Sequence, residues 1–150
     1  MKKRKGFTLI ELMIVVTIIG ILLTILLPRV GMLIDRSREK TTHKNLQNIQ
    51  AAVNAYCIRE TKDQYPTSDA EFEAILSEYF DSRPAALLKR SAAHADEDKA
   101  VVAETAGIDN TGGWLLVTGP TSDQCGKVFI NSQELDTVGT GTPYSTYSSW

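Results

Sequence analysis

Apolar positions are spread unevenly along this chain. From Leu12 to Leu27 the only residues that are not strongly apolar are Thr17, Gly20 and Thr24. Counted from Phe7, the run to Leu27 is about 31 Å long as a helix, enough to cross a bilayer. Farther on the pattern becomes one-sided. Leu46, Ile49, Val53 and Tyr56 recur at i, i+3, i+7 and i+10, with Ala52 at the edge of the stripe. Lys44, Asn45, Gln47, Asn48 and Asn54 fill the positions between. Together these patterns predict one long helix from about Phe7 to about Ile58, apolar all round in its first half and amphipathic in its second.

The remaining elements are short. Tyr65-Pro66-Thr67 breaks the helical period, and Ser68 and Glu71 have capping-box spacing. Phe72, Ile75, Leu76 and Tyr79 then predict an amphipathic helix from about Asp69 to Phe80. Pro84 to Ala106 is alanine-rich and charged, and Pro84 is placed to open a third helix. Asn110-Thr111-Gly112-Gly113 signals a turn. Strands are expected at Trp114–Val117 and Lys127–Asn131, forming a hairpin over the helix stripe, with a short third strand at Leu135–Val138. Gly139 to Trp150 reads as a surface tail that Tyr144, Tyr147 and Trp150 dock. The fold class is therefore α+β: a long N-terminal helix packed on a small antiparallel sheet.

Composition narrows the function. With 150 residues and 43% hydrophobic content the chain is neither disordered nor collagen-like. Outside the apolar segment roughly 90 residues remain, sufficient for one modest core and little room for a deep substrate cleft. Charge is asymmetric. Lys2, Lys3, Arg4 and Lys5 precede the apolar run, and without those four the chain holds 12 basic against 18 acidic residues. An acidic remainder argues against a nucleic-acid interface. No phosphate loop, dinucleotide fingerprint or zinc spacing occurs. The histidines, His43 and His94, lie in no nucleophile motif. His94, beside Asp96, Glu97 and Asp98, reads as part of a solvated acidic run. No enzymatic activity and no cofactor are expected.

A basic stretch followed by an apolar run marks a secretory signal or an anchor. No small-x-small cleavage site follows the run, which continues through Pro28-Arg29-Val30 into Met32, Leu33 and Ile34. The segment is expected to be retained. Glu11 lies inside it, and no Lys, Arg or His lies between Thr8 and Pro28. A carboxylate at membrane depth is costly and marks function, so a positive partner from another molecule is expected.

Gly6-Phe7-Thr8-Leu9-Ile10-Glu11-Leu12-Met13-Ile14-Val15-Val16 resembles the class III signal of type IV pilins and of the pseudopilins of type II secretion. The resemblance covers about the first 30 residues. It implies cleavage between Gly6 and Phe7 by a prepilin peptidase, N-methylation of Phe7, and packing of the helix in a filament core. Residues 1–6 are then a cleaved leader, 7–30 the transmembrane and filament-core helix, 31–60 its amphipathic continuation, and 61–150 a small α+β head. Implied partners are other copies of the chain in a helical homopolymer, the peptidase/methyltransferase, an inner-membrane assembly platform, and the lipid bilayer before assembly. An α-amino group exposed at Phe7, with a reference pKa near 8, would pair with a neighbour's Glu11 and set subunit register.

Other residues gain meaning in that setting. Pro28 deprives the Thr24 carbonyl of its helical donor, and Gly20 weakens the helix by about 1 kcal/mol relative to Ala. A kink or local unwinding is expected between them, as in several filaments of this family; a simple proline kink in a continuous helix is the alternative. Asp35-Arg36-Ser37-Arg38-Glu39-Lys40 is expected to be a solvated face or to pair with neighbouring subunits. The cysteines, Cys57 and Cys125, suit one disulfide if the head lies outside the cytoplasm. It would close a loop of nearly 70 residues, worth about 4 kcal/mol in the chain-entropy model. The alternative is two separate thiols. Asp123, Glu134 and Asp136 are candidate calcium ligands by loop acidity alone, as in some major pseudopilins.

Three functional readings follow. The first is the major pilin of a type IV pilus, stored in the inner membrane and polymerised into an extracellular surface filament for adhesion or twitching. The Gly112-Gly113-Trp114 hairpin and the Ser/Tyr tail favour it. The second is a pseudopilin of type II secretion, favoured by Tyr65-Pro66-Thr67 and Gly141-Thr142-Pro143-Tyr144. The third is a membrane-tethered periplasmic domain that never polymerises.

Overall fold

A computed structural model describes residues 6–59, 64–87, 98–135 and 141–146. The elements are helix α1 (Leu9–Arg59), helix α2 (Asp69–Tyr79), strands β1 (Ala100–Ala103), β2 (Trp114–Val117) and β3 (Val128–Ile130), and a 3-10 turn at Tyr144–Thr146. The chain forms two units, one ending at Ile34 and one beginning at Asp35. The long N-terminal helix, the short second helix and both hairpin strands lie where the periodicity places them, and the architecture is α+β.

The sheet corrects one expectation. It is mixed, in the order β1-β2-β3. β1 runs parallel to β2, with Ala100 opposite Trp114 and Ala103 opposite Val117. β2 and β3 are antiparallel, with Trp114 opposite Ile130 and Leu116 opposite Val128. Ala100–Ala103 sits in the stretch read as alanine-rich and charged, yet Val101 and Val102 favour a pleated strand. The parallel crossover is a short irregular segment. It reverses at Asn110, Gly112 and Gly113, whose φ values of 63°, 87° and 75° are accessible without strain mainly to glycine and asparagine. Pro84–Leu87 is not helical either. The Pro84 carbonyl instead accepts the buried Trp114 indole N–H at 2.6 Å. Leu135 makes an isolated bridge with Pro143, and the rest of the expected third strand, residues 136–138, lies outside the described residues. Residues 88–97 (with His94), 136–140 and 147–150 (with Tyr147 and Trp150) lie outside the described residues.

The sheet's period-2 alternation divides the core. Trp114, Leu116, Val128 and Ile130 face Leu46, Ile49 and Val53 of α1 and Phe72 and Leu76 of α2. Leu115, Val117 and Phe129 point the other way, where Val101, Ala103, Ala106 and Ile108 cover them. Both sheet faces are therefore buried, and β2 reads as a continuous apolar run rather than an alternating one.

Polar residues of α1 fasten the head to it. The side chain of Gln50 donates to the Gly126 carbonyl at 2.7 Å and accepts from the Val128 N–H at 3.0 Å. Thr42 donates to the Leu87 carbonyl at 2.9 Å and Asn45 to the Ala85 carbonyl at 3.0 Å. Glu39 is buried and accepts the Tyr144 hydroxyl. The segment Asp35–Lys40 is thus not wholly a solvated face, and the tail is docked through Tyr144. At the start of α2, Ser68 accepts from the Glu71 N–H, as the spacing predicts, but the Glu71 carboxylate reaches back to the N–H and hydroxyl of Thr67.

Candidate functional site

The candidate site is the first part of α1. From Gly6 to Ile34 every side chain is exposed in the isolated chain, including Phe7 at 87%. α1 holds a stretch long and apolar enough to cross a membrane. Its polar atoms are satisfied internally: Thr17 donates to the Met13 carbonyl at 2.8 Å and Thr24 to the Gly20 carbonyl at 2.9 Å. That leaves an apolar outer surface from Leu12 to Leu27 suited to lipid or to other helices.

Glu11 is the charged residue between Phe7 and Pro28, and its geometry explains how the helix starts. Its Oε2 accepts the Thr8 backbone N–H at 2.7 Å and the Thr8 hydroxyl at 2.8 Å. In return the Glu11 N–H donates to Thr8 Oγ1 at 3.3 Å. This is a reciprocal capping box that satisfies donors otherwise orphaned at a helix N-terminus. Thr8-Leu9-Ile10-Glu11 has the spacing for it, a signal overlooked while Glu11 was considered only as a partner for another molecule. Among the described residues nothing donates to Oε1, so the carboxylate keeps acceptor capacity for a cation.

The helix does not unwind between Gly20 and Pro28. α1 runs unbroken through both. One missing donor at Pro28 removes a single backbone bond, and the turns on either side hold. Cys57 and Cys125 are half-buried and are not joined in a disulfide. Tyr65 lies beside both: with Cys57 it packs against the core cluster, and its phenol lies on Gly126 next to Cys125. Burial pushes the Tyr65 phenol up from its ordinary pKa, and the neighbouring Cys57 and Cys125 add to this. Two of the three calcium candidates lie among the described residues. Asp123 is exposed in the β2–β3 loop, Glu134 is half-buried beyond β3, and Asp136 lies outside the described residues. Among the described residues no group of three His, Cys, Asp or Glu side chains is arranged to hold a metal.

The acidic residue held most elaborately in the head is Asp109. Its Oδ1 accepts the Thr111 N–H, the Thr111 hydroxyl and the Asn131 amide, at 3.0, 2.7 and 2.7 Å. These donors, the Thr111 N–H foremost, hold its carboxyl below the ordinary aspartate range. The arrangement braces the turn before β2 against the end of β3.

Residues 1–27 match the family described as the prokaryotic N-terminal methylation motif. The chain is 33% identical over 85 residues to the type II secretion system core protein G of Vibrio cholerae, covering 56% of each chain. It is 32% identical over 75 residues to the protein of the same name from Pseudomonas aeruginosa, covering 50% of this chain and 51% of that one. It is 26% identical over 77 residues to the Klebsiella pneumoniae protein, covering 51% and 54%. The chain thus spans about half the length of the curated relatives it matches. No solved structure gives a significant match. With its exposed apolar helix and small α+β head, the chain carries the N-terminal methylation motif of the type IV pilin and pseudopilin superfamily and is similar to its members over about half its length.

Proposed function

We propose that the chain is a pseudopilin-type structural subunit of a type II secretion machinery. It is cut after Gly6, N-methylated on Phe7, and held in the inner membrane by its apolar helix until it polymerises into a periplasmic filament. The observation that carries this reading is the exposed apolar helix with Glu11 capping its first turn. Similarity to three type II secretion core proteins supports the secretion filament over the surface pilus, reversing the order that the hairpin and tail suggested.

The mechanism is an exchange of surroundings. In the bilayer, lipid covers the apolar side chains of α1. In the filament, helices of other subunits cover them instead. Association then rests on close packing and on the few polar groups present, because lipid tails are as apolar as the helices. Cleavage frees an amine at Phe7 that is largely cationic at neutral pH. Paired with the free side of a neighbour's Glu11 carboxylate, it lets both charges lie in an apolar core. A misregistered subunit buries them unpaired, at a cost of several kcal/mol. In this reading the peptidase/methyltransferase and the assembly platform are separate proteins.

Fractionation tests the reading. Cells making the chain at native level are sheared, and the surface and envelope fractions are imaged and probed for it. Mature chain confined to the envelope, with no surface filament containing it, is the expected result. Abundant sheared filaments built of this chain would make it a pilin instead.

A further inference from the structure

In the head, α1 carries an outward face with its own chemistry. Lys44, Asn48, Ala51, Ala55 and Ile58 recur at i, i+4, i+7, i+11 and i+14, so they share one side of the helix. Leu46, Ile49 and Val53 occupy the other side and enter the core. The end of α2 makes a wall along the outward face. Phe80 leaves α2 in an extended conformation, with its N–H bonded to the Leu76 carbonyl, and packs against the core. Tyr79 and Phe80 then stand beside Ala51, Ala52 and Ala55, whose small side chains leave a groove of about 260 Å³ that Asn48 also lines. Ile58 extends the face at 79% exposure, and Tyr79 is 38% exposed.

The rest of the head supplies a match. Beyond Ile34, the large apolar residues exposed among the described ones are Ile58, Tyr79 and Leu135. The first two belong to this face. Leu135 stands elsewhere: it bridges Pro143, next to Tyr144, which is fastened to Glu39. The groove begins at Asn48 and ends at Ala55, about 14–24 Å farther along α1 than Glu39. Charge divides in the same way. From Lys40 to Arg59, α1 holds three basic residues (Lys40, Lys44 and Arg59) and no acidic one, whereas residues 61–150 hold 6 basic and 14 acidic residues.

We propose that this face of α1 seats a second copy of the chain, whose Leu135 enters the groove between the alanines and Tyr79. The basic face of one copy then meets the acidic head of the other, and their fields are complementary. Knob and groove lie on different parts of the chain, so the contact is heterologous. Each copy offers its groove to one neighbour and its Leu135 to another. Such a contact repeats into an open helical array unless its rotation closes a ring, whereas groove against groove would stop at two chains. The contact presupposes that the chain is a filament subunit, and it gives the head a part in selecting the neighbour.

Two full-length chains made together in cells with an active prepilin peptidase test this, one carrying Ala51→Cys and the other Leu135→Cys. Envelopes are treated with a short bis-maleimide, and the linked peptides are mapped. A link from position 51 to position 135 necessarily joins two copies, and it is the expected result. Formaldehyde treatment of the same envelopes reads assembly independently. Formaldehyde-linked multimers without a 51-to-135 link would overturn the groove contact and leave the filament reading standing. Links from 51 to 51 in cells making the Ala51→Cys chain alone would overturn it too, because they report groove against groove. Monomer under both reagents would overturn the filament reading and the contact together. Lys44 is exposed, so Lys44→Glu leaves the core intact and should cut the 51-to-135 link several-fold. An unchanged yield would contradict the role given to charge.

Discussion

Tyr144 donates its hydroxyl to the Glu39 carboxylate at 2.5 Å, across 105 residues of sequence, with both side chains buried. This contact ties the C-terminal segment to α1 just beyond the apolar part of the helix. Hydrogen bonds to buried charged groups contribute about 1.5–3 kcal/mol. Tyr144→Phe keeps the ring and loses the hydroxyl, so it should destabilise the head by about that amount. Thermal melting of the full chain in detergent reads it, and an unchanged midpoint would contradict the role given to this contact.

Gln50 should matter more than its surface-like residue type suggests. Gln50→Leu keeps the volume but leaves the Gly126 carbonyl and the Val128 N–H buried without their partner. Each orphaned group costs about 1–3 kcal/mol. Hydrogen exchange should show faster exchange at Val128 in particular.

Gly126→Ala is expected to be disruptive for two reasons. Its φ of +81° is strained for any residue with a Cβ, and that Cβ would collide with Tyr65. The variant should melt below the parent, and Tyr65 should become more solvent-exposed by fluorescence quenching.

Acid should weaken the head in a defined direction. Asp109 is held below the ordinary aspartate pKa by the Thr111 and Asn131 donors, and Glu78 below the glutamate value by its hydrogen bond to Arg59. For both, the folded state binds its proton less readily than the unfolded chain. Their stabilisation is therefore complete above the unfolded values, near 4, and is lost as pH falls through the lower folded values. Melting midpoints taken from pH 6 to pH 2 should fall, and Asp109→Asn should fall less steeply than the parent.

How much of this was legible in the sequence depends on the range of the interaction. The period of Leu46, Ile49 and Val53 and the alternation around Trp114 identified α1, β2 and β3 because each pattern is local. β1 was missed because a four-residue strand in an alanine-rich, charged stretch has almost no period of its own; its parallel pairing to β2 is a tertiary fact. Glu39 sits among charged neighbours that suggest a solvated face or pairing with other subunits, and its buried contact with Tyr144 comes from far along the chain. Gln50 carries no signal that separates a backbone clamp from a polar surface residue. The Thr8–Glu11 capping box was readable from spacing alone. Glu11 stood out because a membrane leaves a carboxylate few bland explanations, and the proposed cut between Gly6 and Phe7 rests on the resemblance of the first residues to a methylation signal.

The central claim is that Phe7 becomes the N-terminus of a subunit whose first helix assembles into a filament. The most direct measurement is the intact mass of the chain recovered from the envelope of cells with an active prepilin peptidase. A chain that begins at N-methylated Phe7 is the predicted result. A chain that still begins at Met1 would contradict the account.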